Sequence, residues 1–253
     1  VQKLGLSIAS KTEFPNLPYH FTVLNTPIVN AFALPGGYVY LTRGLLALAS
    51  DEAEVAGVLG HEIGHVTARH SAERQTQSMV AQLGLILLGA ATGSGSLVDM
   101  AQVGAAAYLQ SYSRDQEFEA DTLGVRYMTL GGYDPQGMVT FLASLREYSQ
   151  LEARMSGQDP NTVDQYNMMA SHPRTIDRVE RAMAAADVAQ PQNPIVGRNE
   201  YLQQIDGMLY GDDPRQGVID GQAFRHPGLR FALQVPEGFR LFNGDNEVTA
   251  QNP

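Results

Sequence analysis

The chain has 253 residues, 43% of them hydrophobic, enough to bury a substantial core as one large domain or a domain with an appendage. Its formal net charge of −10 argues against nucleic acid and against an anionic membrane surface as electrostatic partners. There is no cysteine, which excludes disulfides, thiolate chemistry and cysteine-ligated metal; any bound metal ion has to be held by His, Asp or Glu.

The first residues, VQKLGLSIAS, lack the basic end and apolar core of a signal peptide, so none is expected within this sequence. YHFTVLN (Tyr19–Asn25) has strand composition, and NAFALPGGYVYLT (Asn30–Thr42) reads as two short strands around a Pro35-Gly36-Gly37 turn. From there to about residue 187 the pattern is helical. Gly44–Ala49 is a short apolar helix. A new helix starts at Asp51, which can cap it while Glu54 closes a capping box. Val55, Val58, Leu59, Ile63 and Val66 then recur at helical spacing, so the motif between them, VLGHEIGHV, lies on a helix.

Further helices are expected at 72–91, 97–130, 134–154 and 174–187, with the Gly-rich breaks TGSGS and GGYDP between the first three. MVAQLGLILLGAA (Met79–Ala91) and LVDMAQVGAAAYL (Leu97–Leu109) are the most apolar runs. Neither reaches the ~18 uninterrupted apolar residues of a membrane span. Together they read as a buried helix pair, or as a hydrophobic flap that touches a membrane or an outer-membrane protein over 79–109. QPQNP (Gln190–Pro194) is a linker by composition. A short helix at about 198–209 follows, and RFALQVP and FRLFN alternate well enough to pair as a hairpin across Glu237-Gly238.

The chemistry is concentrated in two helices. Residues four apart on a helix differ by about 40° in direction and about 6 Å in height, so His61 and His65 can point at one ion. Glu62 stands about 100° away, where it can reach a water on that ion and act as general base. Catalytic zinc takes three protein ligands and leaves one position open. His70 is nine residues past His61, a rotation of about 180° on a continuous helix, which makes it a surface residue on the far side. The metzincin spacing would need Gly and His where Ala68 and Ser71 stand, so that variant is excluded. The third ligand is therefore expected from SRDQEFEADTLG. Glu117 and Asp121 are four apart and share a face, while Glu119 points about 200° away from Glu117. Glu117 would supply an oxygen, and Asp121 would accept a hydrogen bond from a ligand histidine and fix its tautomer.

NAFALPGGYVYLTRGLL, LGHEIGHVTARH, SRDQEFEADTLG and SHPRTIDRV stand in the order and spacing of the HtpX-like and CAAX prenyl protease-like family of zinc metallopeptidases, which the chain resembles over residues 1–187. Without the family's membrane helices, it is most similar to the soluble periplasmic, BepA-like branch. The resemblance implies an α+β, predominantly helical, zincin-like (gluzincin) domain over 1–187 with a small edge β-sheet. A linker at 188–197 and a small C-terminal α/β appendage at 198–253 of unassigned role would follow. It implies one Zn2+ per chain on His61, His65 and Glu117, Glu62 as base, and Asp121 behind the ligands. Asn30, Ala31, Phe32 and Ala33, on through Leu34, resemble the edge strand along which an extended substrate lies, although an ordinary hairpin fits the same pattern. His172 and Arg178 resemble residues that hold the oxyanion. In some relatives the histidine instead closes the fourth zinc position and keeps the enzyme latent. His226, also before a proline, is an alternative fourth ligand but has Ala232 where that motif would place arginine. The function so implied is an endopeptidase for misfolded or unassembled envelope proteins in the bacterial periplasm, with polypeptide substrates and no nucleic acid. The alternative is a chaperone-like or scaffolding protein with a mostly latent zinc site.

Overall fold

A computed structural model describes residues 1–74, 76, 79, 112–155, 157–160, 176–185, 188–244 and 247–252. The apolar runs over 79–109 (Met79 apart) and His172 lie outside the described residues. The chain opens with helix α1 (Gln2–Ala9), a segment whose secondary structure the sequence left open. Strands β1 (His20–Leu24), β2 (Ala31–Leu34) and β3 (Tyr38–Thr42) form one sheet in the order β1-β3-β2. The β2–β3 hairpin is antiparallel and closes on Gly36 and Gly37, whose φ of 92° and 91° suit glycine. β1 runs parallel to β3. β2 therefore lies at an edge of this sheet, and it packs against the helix that carries the histidines.

Helix α2 (Arg43–Leu48) follows directly, capped by Thr42, whose hydroxyl accepts the Leu45 N–H. Helix α3 (Glu52–Thr67) is the centre of the molecule. Its sequence is apolar or small on nearly every face, the pattern of a helix surrounded by protein, and only Glu52 and Val66 escape full burial. Asp51 caps it by accepting the Glu54 N–H at 2.9 Å. Glu54 does not close a capping box: its carboxylate turns one residue further back and accepts the Ser50 N–H at 2.8 Å. Burial raises the Glu54 pKa above its ordinary value, against the lowering effect of that hydrogen bond.

Helices α4 (Arg114–Leu130), α5 (Gln136–Met155) and α6 (Ile176–Ala185) complete the helical layer, with α4 and α5 against α3 and α6 against α4 and α5. The sequence had suggested one helix over 97–130, but residues 112 and 113 are not helical. Ser113 caps α4 and exchanges hydrogen bonds with Gln116 in a capping box, so the helix starts afresh at Arg114. Ile8, Leu41, Leu45, Leu59, Ile63, Met128, Met138, Phe141 and Leu145 form the core between sheet and helices. No helix among the described residues is long and apolar enough to cross a membrane.

The segment after α6 is bound to this body. Ile195 exchanges backbone hydrogen bonds with Gly132 and Asp134, and Val196 accepts from the Ala53 N–H at the start of α3. Helix α7 (Arg198–Ile205) lays the buried Tyr201 onto the Leu46 carbonyl. The buried Arg43 guanidinium donates to Asn25 and to the carbonyls of Leu209 and Gly211, at 2.6–2.8 Å. Beyond that point come β4 (Val218–Asp220), β5 (Ala223–His226) and β6 (Phe231–Gln234) as one antiparallel sheet, and β7 (Arg240–Asn243) with β8 (Val248–Gln251) as a two-stranded one. The expected hairpin between RFALQVP and FRLFN is not formed. β6 pairs back onto β5 and β7 forward onto β8.

Candidate metal centre

The histidines and the carboxylates meet because α3 and α4 touch backbone to backbone. A Cβ on Gly60 would lie 2.8 Å from the Gly124 carbonyl, one on Gly64 2.8 Å from the Ala120 carbonyl, and one on Gly124 2.7 Å from the His61 nitrogen. No side chain could stand there, since the opposing atoms belong to the main chain. The two glycines that precede His61 and His65 are the other half of the motif. They let α4 approach closely enough for Glu117 and Asp121, one helical turn apart, to face the two imidazoles.

His61, Glu62, His65, Glu117 and Asp121 are all fully buried. His61 Nε2 and His65 Nε2 are 3.0 Å apart, His65 Nε2 is 3.3 Å from Glu117 Oε1, and His61 Nε2 is 3.7 Å from Glu117 Oε2. Ligands about 2.0–2.1 Å from a tetrahedral ion are separated by about 3.3 Å, so this triangle has the dimensions of a metal's donor set. His61 Nδ1 lies 2.7 Å from Asp121 Oδ1. A carboxylate there holds the hydrogen on Nδ1 and leaves the Nε2 lone pair directed into the triangle. Charge balance points the same way. Glu62, Glu117 and Asp121 bring three buried carboxylates together, and a bound divalent cation offsets a burial cost that neutral imidazoles cannot. Arg43, the buried guanidinium among the described residues, is engaged by Asn25 and by the carbonyls of Leu209 and Gly211. The residues present fit a divalent metal, and His61, His65 and Glu117 are the group among the described residues whose donor atoms could hold one.

His70 departs from the sequence reading. It is 1% exposed, not a surface residue, and its Nδ1 lies 2.9 Å from His65 Nδ1. The straight-helix extrapolation fails because α3 ends at Thr67 and Arg69 takes a φ of 60°, which swings the next residue back toward the histidines. Helical backbone resumes at 70–74. Tyr112 was also missed. Its ring stacks on His65 with centroids 4.0 Å apart, and the Arg74 guanidinium lies 4.3 Å from its own centroid. Arg178 lies on α6, whose Arg181 sits over the ring of Phe118 on α4; the Arg178 side chain is outside what the structure describes. His226 is in β5, where it accepts the Leu229 N–H and stacks on Phe231, away from the cluster. Asn30 precedes β2, tied to Thr42 through its backbone N–H and carbonyl. Its side-chain Oδ1 is buried with no hydrogen-bond partner among the described residues.

Two histidines and a glutamate gathered from two helices, with a second buried glutamate between the histidines in sequence, form a cluster that could hold a metal ion. The chain belongs to peptidase family M48, whose family profile matches residues 1–186. Membership of a metallopeptidase family implies a metal cofactor, typically zinc, and the cluster could bind it. The chain is 32% identical to the beta-barrel assembly-enhancing protease of Yersinia pestis over 225 residues, 84% of this chain and 44% of that protein. It is 32% identical to the protein of the same name from Escherichia coli strain K12 over 211 residues, covering 80% and 41%. It is also 38% identical to the mitochondrial metalloendopeptidase OMA1 of Arabidopsis thaliana over 130 residues, covering 51% and 26%. The chain thus spans less than half the length of these relatives.

Proposed function

We propose that this chain is a zinc-dependent endopeptidase of gluzincin type, with His61, His65 and Glu117 holding one Zn2+ and residues 1–187 forming the peptidase unit. Residues 188–197 join that unit to 198–253. The observation that carries the reading is the buried triangle of Nε2, Nε2 and carboxylate oxygens, 3.0–3.7 Å on its edges. Bound zinc supplies the Lewis acidity that makes water a nucleophile near neutral pH. Glu62 takes the proton from the attacking water and returns it to the leaving amine, so one carboxylate serves both halves of the reaction.

A substrate strand adds to the outer edge of β2, with main-chain hydrogen bonds that place little demand on its sequence. Such sequence-tolerant binding suits unfolded chains. Two of the relatives are named for beta-barrel assembly, and we place the substrates among misfolded or unassembled proteins of the bacterial envelope. His172 and Arg178 are assigned to the oxyanion, with His172 alternatively a gate on the metal. His172→Ala separates these roles in a casein assay: increased cleavage marks a gate and decreased cleavage an oxyanion partner, while unchanged cleavage removes His172 from the mechanism.

The test of the reading is Glu62→Gln. The variant is expected to retain zinc and lose at least about 100-fold in cleavage of an unfolded substrate, the lower range for removal of a general base. A variant that cleaves like the unaltered protein would show that the buried centre does not do the chemistry.

A further inference from the structure

A histidine that binds metal through one ring nitrogen has to be aimed through the other. For His61 the aim comes from Asp121. His65 faces a different partner, since its Nδ1 lies 2.9 Å from Nδ1 of His70. Two nitrogens at that distance share one hydrogen. If His65 presents its Nε2 lone pair to zinc, its Nδ1 carries the hydrogen and donates, and His70 Nδ1 accepts. The hydrogen of His70 then resides on Nε2, which lies 3.3 Å from Glu119 Oε2 and donates to it.

We propose that Glu119, His70 and His65 form a relay in which His70 is a positioning residue for zinc, holding His65 in its metal-binding tautomer and orientation. The inference rests on the zinc reading above. Three features of the chain support it. First, the fold accepts Arg69 at φ 60°, a left-handed conformation that disfavours any residue but glycine, in the turn that returns His70 to the centre. Second, His70 is buried to 1% although it follows the end of α3. Third, the same short segment fixes the far face of His65. Tyr112 stacks on that ring, the Ser71 hydroxyl lies 3.0 Å from the Tyr112 hydroxyl, and Arg74 lies over the Tyr112 ring. The segment after the second histidine therefore supports His65 at both its ring edge and its face. Asp121 gives His61 a charged, fully buried acceptor, whereas Glu119, with its side chain 60% exposed, reaches His65 only through a neutral imidazole.

The experiment is zinc affinity measured by competition with a chromophoric chelator, on the full chain. His70→Leu fills the volume but cannot accept a hydrogen bond; His70→Gln can accept one through its amide oxygen. The expected result is a zinc affinity lowered about 10–100-fold in His70→Leu, the usual range for an outer partner of a metal ligand, and largely recovered in His70→Gln. The visible spectrum of the cobalt-substituted protein should shift in His70→Leu and return in His70→Gln, which a packing role alone would not produce. Equal affinity in His70→Leu and the unaltered protein overturns the proposal, as does a His70→Gln variant no better than His70→Leu. If His70→Leu does not fold, Glu119→Ala decides. Truncating that exposed carboxylate leaves the core intact, so weakened zinc binding supports the relay and unchanged binding overturns it. Failure of the unaltered protein to bind zinc at all would sink the zinc reading itself, a result distinct from failure of the relay alone.

Discussion

Asp121 illustrates what a single buried side chain does in this molecule. Its oxygen 2.7 Å from His61 Nδ1 sets which nitrogen of that ring is free, and its burial keeps water from competing for the bond. Asp121→Ala is expected to weaken zinc binding about 10–100-fold in a chelator titration, with Asp121→Asn intermediate because an amide oxygen still accepts. His61, His65, Glu117 and Asp121 were legible in the sequence because each pair is four apart on a helix, where spacing alone fixes direction. His70 was not. Its position depends on one left-handed residue, Arg69, and nothing in HVTARH marks a helix end as a glycine would have done. Glu119 was read as pointing away from Glu117, and so it does, toward His70.

Among the elements, the decisive contact is the α3–α4 seam. Nothing in LGHEIGHV or ADTLG marks Gly60, Gly64 and Gly124 as points of contact; their use depends on a partner helix that no local pattern identifies. Gly124→Ala would place a methyl group 2.7 Å from the His61 nitrogen, and main chain cannot rotate away. The expected cost is about 1–3 kcal/mol in urea unfolding of the metal-free protein, together with weakened zinc binding as the helices separate. The start of α4 was readable in principle: Ser113-Arg114-Asp115-Gln116 is a capping-box sequence, overridden by the longer helical pattern around it. The C-terminal strands were paired wrongly for a different reason. Their true partners, AFRH and VTAQ, are four residues long and lack clear apolar alternation, so the two better-patterned strands were joined to each other.

For the whole molecule, the sequence did not show how the segment after α6 is held. That tie runs through Arg43 to Leu209 and Gly211, and through Asn25, which donates to Asp213 at 2.8 Å. Hydrogen bonds from the Arg215 side chain and backbone, then from Asn25, hold the Asp213 carboxyl well below the usual carboxylate range. A pKa depressed by folding contributes stability that is fully present above the unfolded value of about 3.9 and is lost as pH falls through the folded one. Asp213→Asn is therefore expected to lower the melting temperature at pH 7, with the gap to the unaltered protein narrowing as pH falls below about 4. A gap independent of pH would mean that the ionised carboxylate does not hold this junction.

The central claim is that two helices deliver His61, His65 and Glu117 to one ion. Zinc content per chain, measured by elemental analysis of the purified protein and of Glu117→Ala, tests it most directly. One zinc per chain is expected in the former and well under one in the latter after identical dialysis. No zinc in the unaltered chain, or full zinc without the Glu117 carboxylate, would contradict it.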